Sequence, residues 1–207
     1  MRTMTKGKKP QVSILQKQTA FQGYFRINRY FLRHTLHEGG WSDEVKREVF
    51  ERGHAAGVLG YDPDRDEVLL IEQFRIGAFV ANRPAWVTEI VAGIIEEGES
   101  PEVVVRREAV EEAGLEVGEL IPIADYLVSP GGTSETMALF CGHMDLKDAG
   151  GIHGLDHEQE DIRVLPTPRK EAMRLLKEGC LNNSMTIIAL QWLALNVDDL
   201  RKRWASA

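Results

Sequence analysis

GIIEEGESPEVVVRREAVEEAGL, residues 93–115, reads as a loop, a helix and a stop. Ser100 suits the N-cap and Pro101 the first helical position, where no amide donor is needed. Gly114 supplies a left-handed C-terminal stop. At about 100° per residue, Glu108 and Glu112 share one face and Glu111 sits close beside them. Val103, Ala109, Val110 and Ala113 are expected on the other side, against a core. Carboxylates stacked one turn apart repel, and a hard divalent metal is the simplest compensation. Arg107 and Glu111, four residues apart, can pair along the helix. A solvated acidic face is the plainer account of any Glu-rich helix. The fixed offsets of Gly93, Glu99, Arg107, Glu108, Glu111, Glu112 and Gly114 argue against it.

Upstream, VSILQKQTAF, YFRINRYFLRHTL and WSDEVKREVFE within residues 11–52 read as strands, with a turn at His37–Gly40. Apolar and polar residues alternate around Phe25 and Ile27, as in a half-buried strand. A three-strand sheet of this size is marginal alone, so it is expected to pack on something, with a second subunit the suspect. AAGVLGYDPDRDEVLLIEQFR gives two strands about a YDPDRD turn. Its second strand is continuously apolar, then delivers Glu72, Gln73 and Arg75. Residues 76–85 read as a loop and WVTEIVAG as one strand. Downstream, LIPIADYLVSP, TMALFCGHM and DIRVLPTP are strand-like. PRKEAMRLLKEG reads as a helix, and SMTIIALQWLALNVDDLRKRW as a final one, capped by Ser184 and buried through Ile188, Trp192 and Leu195. Strands, helix, strands and two helices in that order imply α+β layers with a mixed sheet.

The 207-residue chain is 43% apolar and 28% charged, ordinary for a globular protein. No apolar run approaches the roughly 18 residues of a membrane span. The basic start MRTMTKGKKP is followed by no signal-peptide core and is expected to be a frayed terminus. Residues 1–54 carry 11 Lys/Arg against 5 Asp/Glu, net +6; the remainder carries 14 against 27, net −13. An acidic body argues against nucleic acid as partner. Cys141 and Cys180 stand outside any metal spacing, which suits buried thiols in the reducing cytoplasm.

The pattern G-x5-E-x7-R-E-x-x-E-E-x-G resembles the Nudix box of hydrolases that act on nucleoside diphosphates linked to another group. With FERGHAA at 50–56, VAGIIEEGES at 91–100, EDIRV at 160–164 and Pro130 fifteen residues past Leu115, the chain is similar to the bacterial ADP-ribose pyrophosphatases from about residue 20 onward. The resemblance implies a Nudix-type α/β/α sandwich over residues 55–207. Before it comes a small antiparallel sheet over 1–54, exchanged in a homodimer. It implies magnesium-dependent hydrolysis of ADP-ribose to AMP and ribose 5-phosphate, with Mg2+ (or Mn2+) in two or three copies per site. Glu108, Glu112, Glu160 and the Ala92 carbonyl would be metal ligands, and Glu158 the base that orients the attacking water. Arg47, Arg75, Arg52, Glu48, Ile94, Ser129, Pro130, Gly131 and Glu135 would bind substrate. Tyr24 and Phe25 would lie against adenine.

Alternatives stand beside these. The SPGGTSE stretch at 129–135 is turn chemistry in its own right. The acidic stretch 151–163 is either solvated or folded over the site. Tyr24 and Phe25 also suit sheet packing. Glu111 is the base in other branches, with Arg107 and Glu111 otherwise shaping the loop and helix. Another ADP-sugar is the rival substrate. A module that binds without cutting would have lost the metal glutamates, which are all present here.

Overall fold

The computed structural model describes residues 9–204. All but Lys9 and Pro10 of the expected frayed start lie outside them. The chain divides into two units: residues up to Gly53 together with Val128–Glu135, and His54–Leu127 together with Thr136 onward. The expected boundary at 54/55 sits beside this division, and the return of 128–135 to the first unit is the addition.

In the first unit, β1 (Val12–Gln22), β2 (Arg26–His34) and β3 (Val45–Glu51) form an antiparallel sheet in that order. Its buried centre is polar. Asn28 Nδ2 and the Tyr30 hydroxyl donate to Glu51 Oε1 at 3.0 and 2.9 Å, and Ser134 Oγ donates to Glu51 Oε2 at 3.1 Å. The Asn28 bond leads these donors in holding the Glu51 carboxyl below its usual range, against partial burial. The returning stretch is stitched to β3 by Phe50 N–H to Gly132 O at 2.8 Å and Thr133 Oγ1 to Phe50 O at 2.9 Å. β1 is exposed along its whole length, including Val12, Ile14 and Phe21.

The second unit contains β4 (Ala55–Asp62), β5 (Glu67–Phe74), α1 (Ile76–Val80), β6 (Trp86–Glu89), β7 (Val91–Ile94) and α2 (Pro101–Ala113). It continues through β8 (Leu120–Leu127), β9 (Thr136–His143), β10 (Ile152–His153), β11 (Ile162–Pro168), α3 (Arg169–Lys177) and α4 (Ser184–Trp204). The sheet order is β10-β11-β5-β4-β9-β8, with β6 on β5 and β7 on β4. β4 and β9 run parallel and the other pairs antiparallel, so the sheet is mixed. Alternate residues serve opposite faces. Leu69 and Ile71 of β5 pack with Val104, Val105 and Ala109 of α2, while Val68 and Leu70 pack with Ala172 of α3 and Leu190 and Leu193 of α4. Helices on both faces explain why β4 and β5 read as continuous apolar runs.

WVTEIVAG proves to be two strands. β4 and β5 pair with each other only next to their turn, at Tyr61–Val68 and Asp62–Glu67. Beyond that, β6 pairs with β5 and β7 with β4. The break falls at Ile90, whose buried N–H is taken by the Thr186 hydroxyl of α4 at 3.1 Å. Residues 76–85 are not all loop, because the Arg75 carbonyl accepts from Ala78 and Phe79 N–H and starts the short α1. Asn183, not Ser184, caps α4, its Oδ1 accepting from Thr186 N–H at 3.1 Å. Leu195, expected in the core, is 85% exposed. The helix turns its Ala189, Leu190 and Leu193 stripe inward, leaving Ile188 and Trp192 half-buried. Of the thiols only Cys141 is buried, and burial pushes it up to about 12; Cys180 is exposed. Among the described residues no helix is long and apolar enough to cross a membrane.

The α4 phase can be checked by truncation. Leu190→Ala is expected to cost about 2–5 kcal/mol in urea unfolding, as buried leucines do. Leu195→Ala is expected to stay within about 0.5 kcal/mol of the unaltered chain.

Candidate functional site

α2 begins and ends as its sequence dictates. Ser100 Oγ accepts from Val103 N–H at 3.4 Å, Pro101 opens the helix, and Gly114 closes it at a left-handed φ of 66°. Its phase differs from expectation. Val104, Val105, Ala109, Glu112 and Ala113 are buried, whereas Val103 and Val110 are half exposed. Val103 and Val110 are seven residues apart and so share one outer line. Glu108 and Glu112 therefore border the packing stripe rather than oppose it.

That placement buries charge. Glu112 is 3% exposed. Its Oε2 accepts from Ala92 N–H of β7 at 3.2 Å and its Oε1 from Gln73 Nε2 of β5 at 3.3 Å. Neither donor carries a net charge. Burial, then the neighbouring Glu108 carboxylate, push its carboxyl up to about 8, against the Ala92 amide, Arg75 and Gln73. Glu108 is raised too, chiefly by burial, with Arg107 opposing and Glu111 and Glu160 adding to the rise. The Glu108 carboxylate fills the place where a Cβ on Gly93 would sit. A side chain at position 93 would have to displace the Glu108 carboxylate.

Arg107 joins three carboxylates: Glu99 at 3.2 Å, Glu108 at 2.8 Å and Glu111 at 2.8 Å. Partial burial works against its charge, but these acids more than offset it and raise its pKa. Glu111 is therefore engaged in an ion pair, and its carbonyl accepts from Gly154 N–H at 3.2 Å. Arg75, at the end of β5, donates from Nε to Glu89 Oε1 of β6 at 2.6 Å. Ile94 lies in β7, paired with Ala55. The stretch 151–163 carries β10 and a 3-10 turn, Asp156–Glu158, as well as loop. Glu158 ends that turn with a 57% exposed side chain, 3.7 Å from the His157 ring. Glu160 Oε2 accepts from Leu155 N–H at 3.2 Å.

The remaining candidates belong to the first unit. Tyr24 is 86% exposed and meets Phe25 edge-on at 4.8 Å. Phe25 contacts Phe50 at 5.2 Å and lies under the Arg52 guanidinium at 5.5 Å. Arg52 also reaches Glu135, which is buried, at 3.5 Å. Glu48 pairs with Arg29 at 2.6 Å, and Arg47 donates to the Lys46 carbonyl at 2.8 Å. Ser129, Pro130 and Gly131 make a turn in which the Ser129 carbonyl accepts from Gly132 and Thr133 N–H. The candidates thus fall into two sets, one within each unit.

Among the described residues no three acidic, imidazole or thiol groups close into a finished metal cage. The donors present nonetheless suit a hard divalent cation. They are oxygens only, two carboxylates share a helix edge, and a third acts on one of them. Sequence reading missed Glu89. Its one signal was an acid inside the mostly apolar stretch WVTEIVAG.

A NUDIX domain matches residues 51–177. The chain is 50% identical over 197 residues to the ADP-ribose pyrophosphatase of Escherichia coli (strain K12), covering 95% of this chain and 94% of that one. It is 42% identical to the ADP-ribose pyrophosphatase of Haemophilus influenzae, over 93% and 90%. It is 33% identical to the GDP-mannose pyrophosphatase of Shigella flexneri serotype 5b, over 90% and 96%. A solved ADP compounds hydrolase matches in fold with a TM-score of 0.68 at 20% identity, over 95% and 98%.

Burial of Glu112 has a pH consequence in metal-free protein. In the folded protein its carboxyl is pushed up to about 8, above the ordinary 4.5. The native state therefore holds the extra proton, and stability is lost as pH rises from about 4.5 to 8. Urea unfolding with chelator present should show that decline, and Glu112→Gln should flatten it.

Proposed function

Since the chain belongs to the NUDIX domain family, we propose that it is an ADP-ribose diphosphatase, splitting ADP-ribose with water into AMP and ribose 5-phosphate. The observation that carries this is 50% identity along almost the full length of an ADP-ribose pyrophosphatase. The buried glutamate pair on α2 supports it chemically. Glu108, Glu112, Glu160 and the Ala92 carbonyl hold the cation, which we take to be Mg2+, with Mn2+ able to replace it and two or three ions per site. When bound, such ions neutralise the diphosphate and make water a stronger nucleophile.

The chain's own residues do the rest. Glu158 takes a proton from the attacking water as its oxygen bonds to the adenosyl phosphorus. The bond from that phosphorus to the bridging oxygen breaks, and the oxygen leaves with ribose 5-phosphate. Arg75 offers its guanidinium to the diphosphate, while Arg107 and Glu111 keep the loop and helix in shape. The exposure of Glu158 and the ion pair of Glu111 favour Glu158 as base. In the first unit, Tyr24 and Phe25 offer ring faces to adenine. Arg47, Glu48, Arg52, Glu135 and the turn at Ser129, Pro130 and Gly131 bind the ribose and phosphate side, as does Ile94 of β7. A cytoplasmic homodimer that shares the first unit completes the proposal. Its support is the apolar exposure of β1 and two unpaired cysteines.

Chromatography of the products should show AMP and ribose 5-phosphate with Mg2+ and neither with chelator. Faster turnover of GDP-mannose than of ADP-ribose would overturn the substrate assignment. Glu158→Gln is expected to lower kcat by about 100-fold or more. If it stays near wild type while Glu111→Gln collapses, Glu111 is the base. In sedimentation, a chain lacking residues 1–50 is expected to be monomeric and to bind substrate poorly.

A further inference from the structure

Glu89 is a buried acid that the mechanism above does not use. It lies on β6 opposite Ile71 of β5, and Val87 lies opposite Gln73. Paired residues share a sheet face, so Glu89 and Gln73 are diagonal neighbours on one face. Ile71 on that face packs in the same core as α2. Gln73, the neighbour of Glu89 on that face, donates to Glu112 at 3.3 Å. Glu89 in turn accepts from Arg75 Nε at 2.6 Å, its side chain 5% exposed against 42% for Arg75. A charge at that depth is costly without a partner, and Arg75 is its only ion pair among the described residues.

The geometry of this contact matters. Arginine has donors both along its stem, at Nε, and at its two terminal nitrogens. Glu89 engages Nε. Among the described residues the terminal nitrogens make no side-chain hydrogen bond, the one from Nε being the only one of the Arg75 side chain. The backbone is held as well, with Arg75 N–H donating to the Ala85 carbonyl at 2.7 Å and its own carbonyl starting α1. Arg75 is therefore fixed at its root and along its stem, with its tip open. A lysine in its place would have one donor group for both jobs.

We propose that Glu89 is a positioning residue: it clamps Arg75 by Nε so that the terminal nitrogens meet the substrate diphosphate already oriented. Gln73 donates to Glu112 and lies beside Glu89 on the same sheet face. The clamp rests on reading Arg75 as a diphosphate ligand. Its effect is on binding, because a side chain ordered beforehand loses less freedom when substrate arrives.

The test is a double-mutant cycle on the full chain with ADP-ribose and saturating Mg2+, reading KM and kcat separately. Arg75→Ala is expected to raise KM about tenfold or more. Glu89→Gln is expected to raise KM about fivefold with kcat within about twofold, and the double variant to be no worse than Arg75→Ala alone. A purely structural role would lower the melting temperature and leave KM in place, which would overturn the proposal. So would losses that multiply in the double variant. Glu89→Asp, whose carboxylate stops one methylene short, should also raise KM, and serves if Glu89→Gln does not fold; an unchanged KM there overturns the clamp. An unchanged KM in Arg75→Ala would overturn the reading of Arg75 and the clamp with it. AMP production by the unaltered chain reports separately on the activity.

Discussion

Burial of the Glu112 carboxylate beside that of Glu108 is the constraint around which the second unit is arranged. Water cannot solvate Glu112, and neither of its two hydrogen-bond donors carries a net charge. The cost is tolerated because the same helix edge carries Val105, Ala109 and Ala113 into the core. Apolar packing holds the acids where solvation would not leave them. What packing leaves is a pair of carboxyls short of cationic partners, in which Glu112 keeps its proton up to about pH 8 in the metal-free protein, and a divalent cation can take that proton's place.

Much of the neighbouring structure answers to that arrangement. β7 brings the Ala92 amide to Glu112, and Gly93 leaves room for Glu108. β7 can do so because the strand breaks at Ile90, and the break is closed by Thr186 from the helix on the opposite face. Arg107 gathers Glu99, Glu108 and Glu111 and so ties the loop before α2 to its last turns. One cation is shared among three acids, and none of its ion pairs goes to Glu112. The first unit is built on another principle. Its sheet buries a hydrogen-bonded centre around Glu51, and that carboxylate, with β3, holds the returning 128–135 stretch.

The readings that changed did so for related reasons. Val103 and Val110 look like core residues by type, yet the helix turns them outward because its acids take the edge of the inner stripe. Leu195 is apolar in an apolar helix, but α4 has one sheet to face and Leu190 and Leu193 already face it. WVTEIVAG has the composition of one strand. It divides because β4 and β5 splay apart and leave two places to fill. Glu89 escaped notice because a single acid in a strand carries no period and no spacing, and its role needs a partner from another strand.

From sequence alone came the helix with its cap, opening proline and terminal glycine, since these are set by contacts within a few residues. The metal-type spacing of Glu108 and Glu112 came with it, as did the mixed sheet with helices and the resemblance to a family. The tertiary structure decided which face of α2 and α4 is inward, where WVTEIVAG breaks, which thiol is buried and which arginine holds which acid. Those depend on residues far apart in the chain meeting in space, such as Arg75 with Glu89 or Ile90 with Thr186. Local propensity has no means of expressing such pairings.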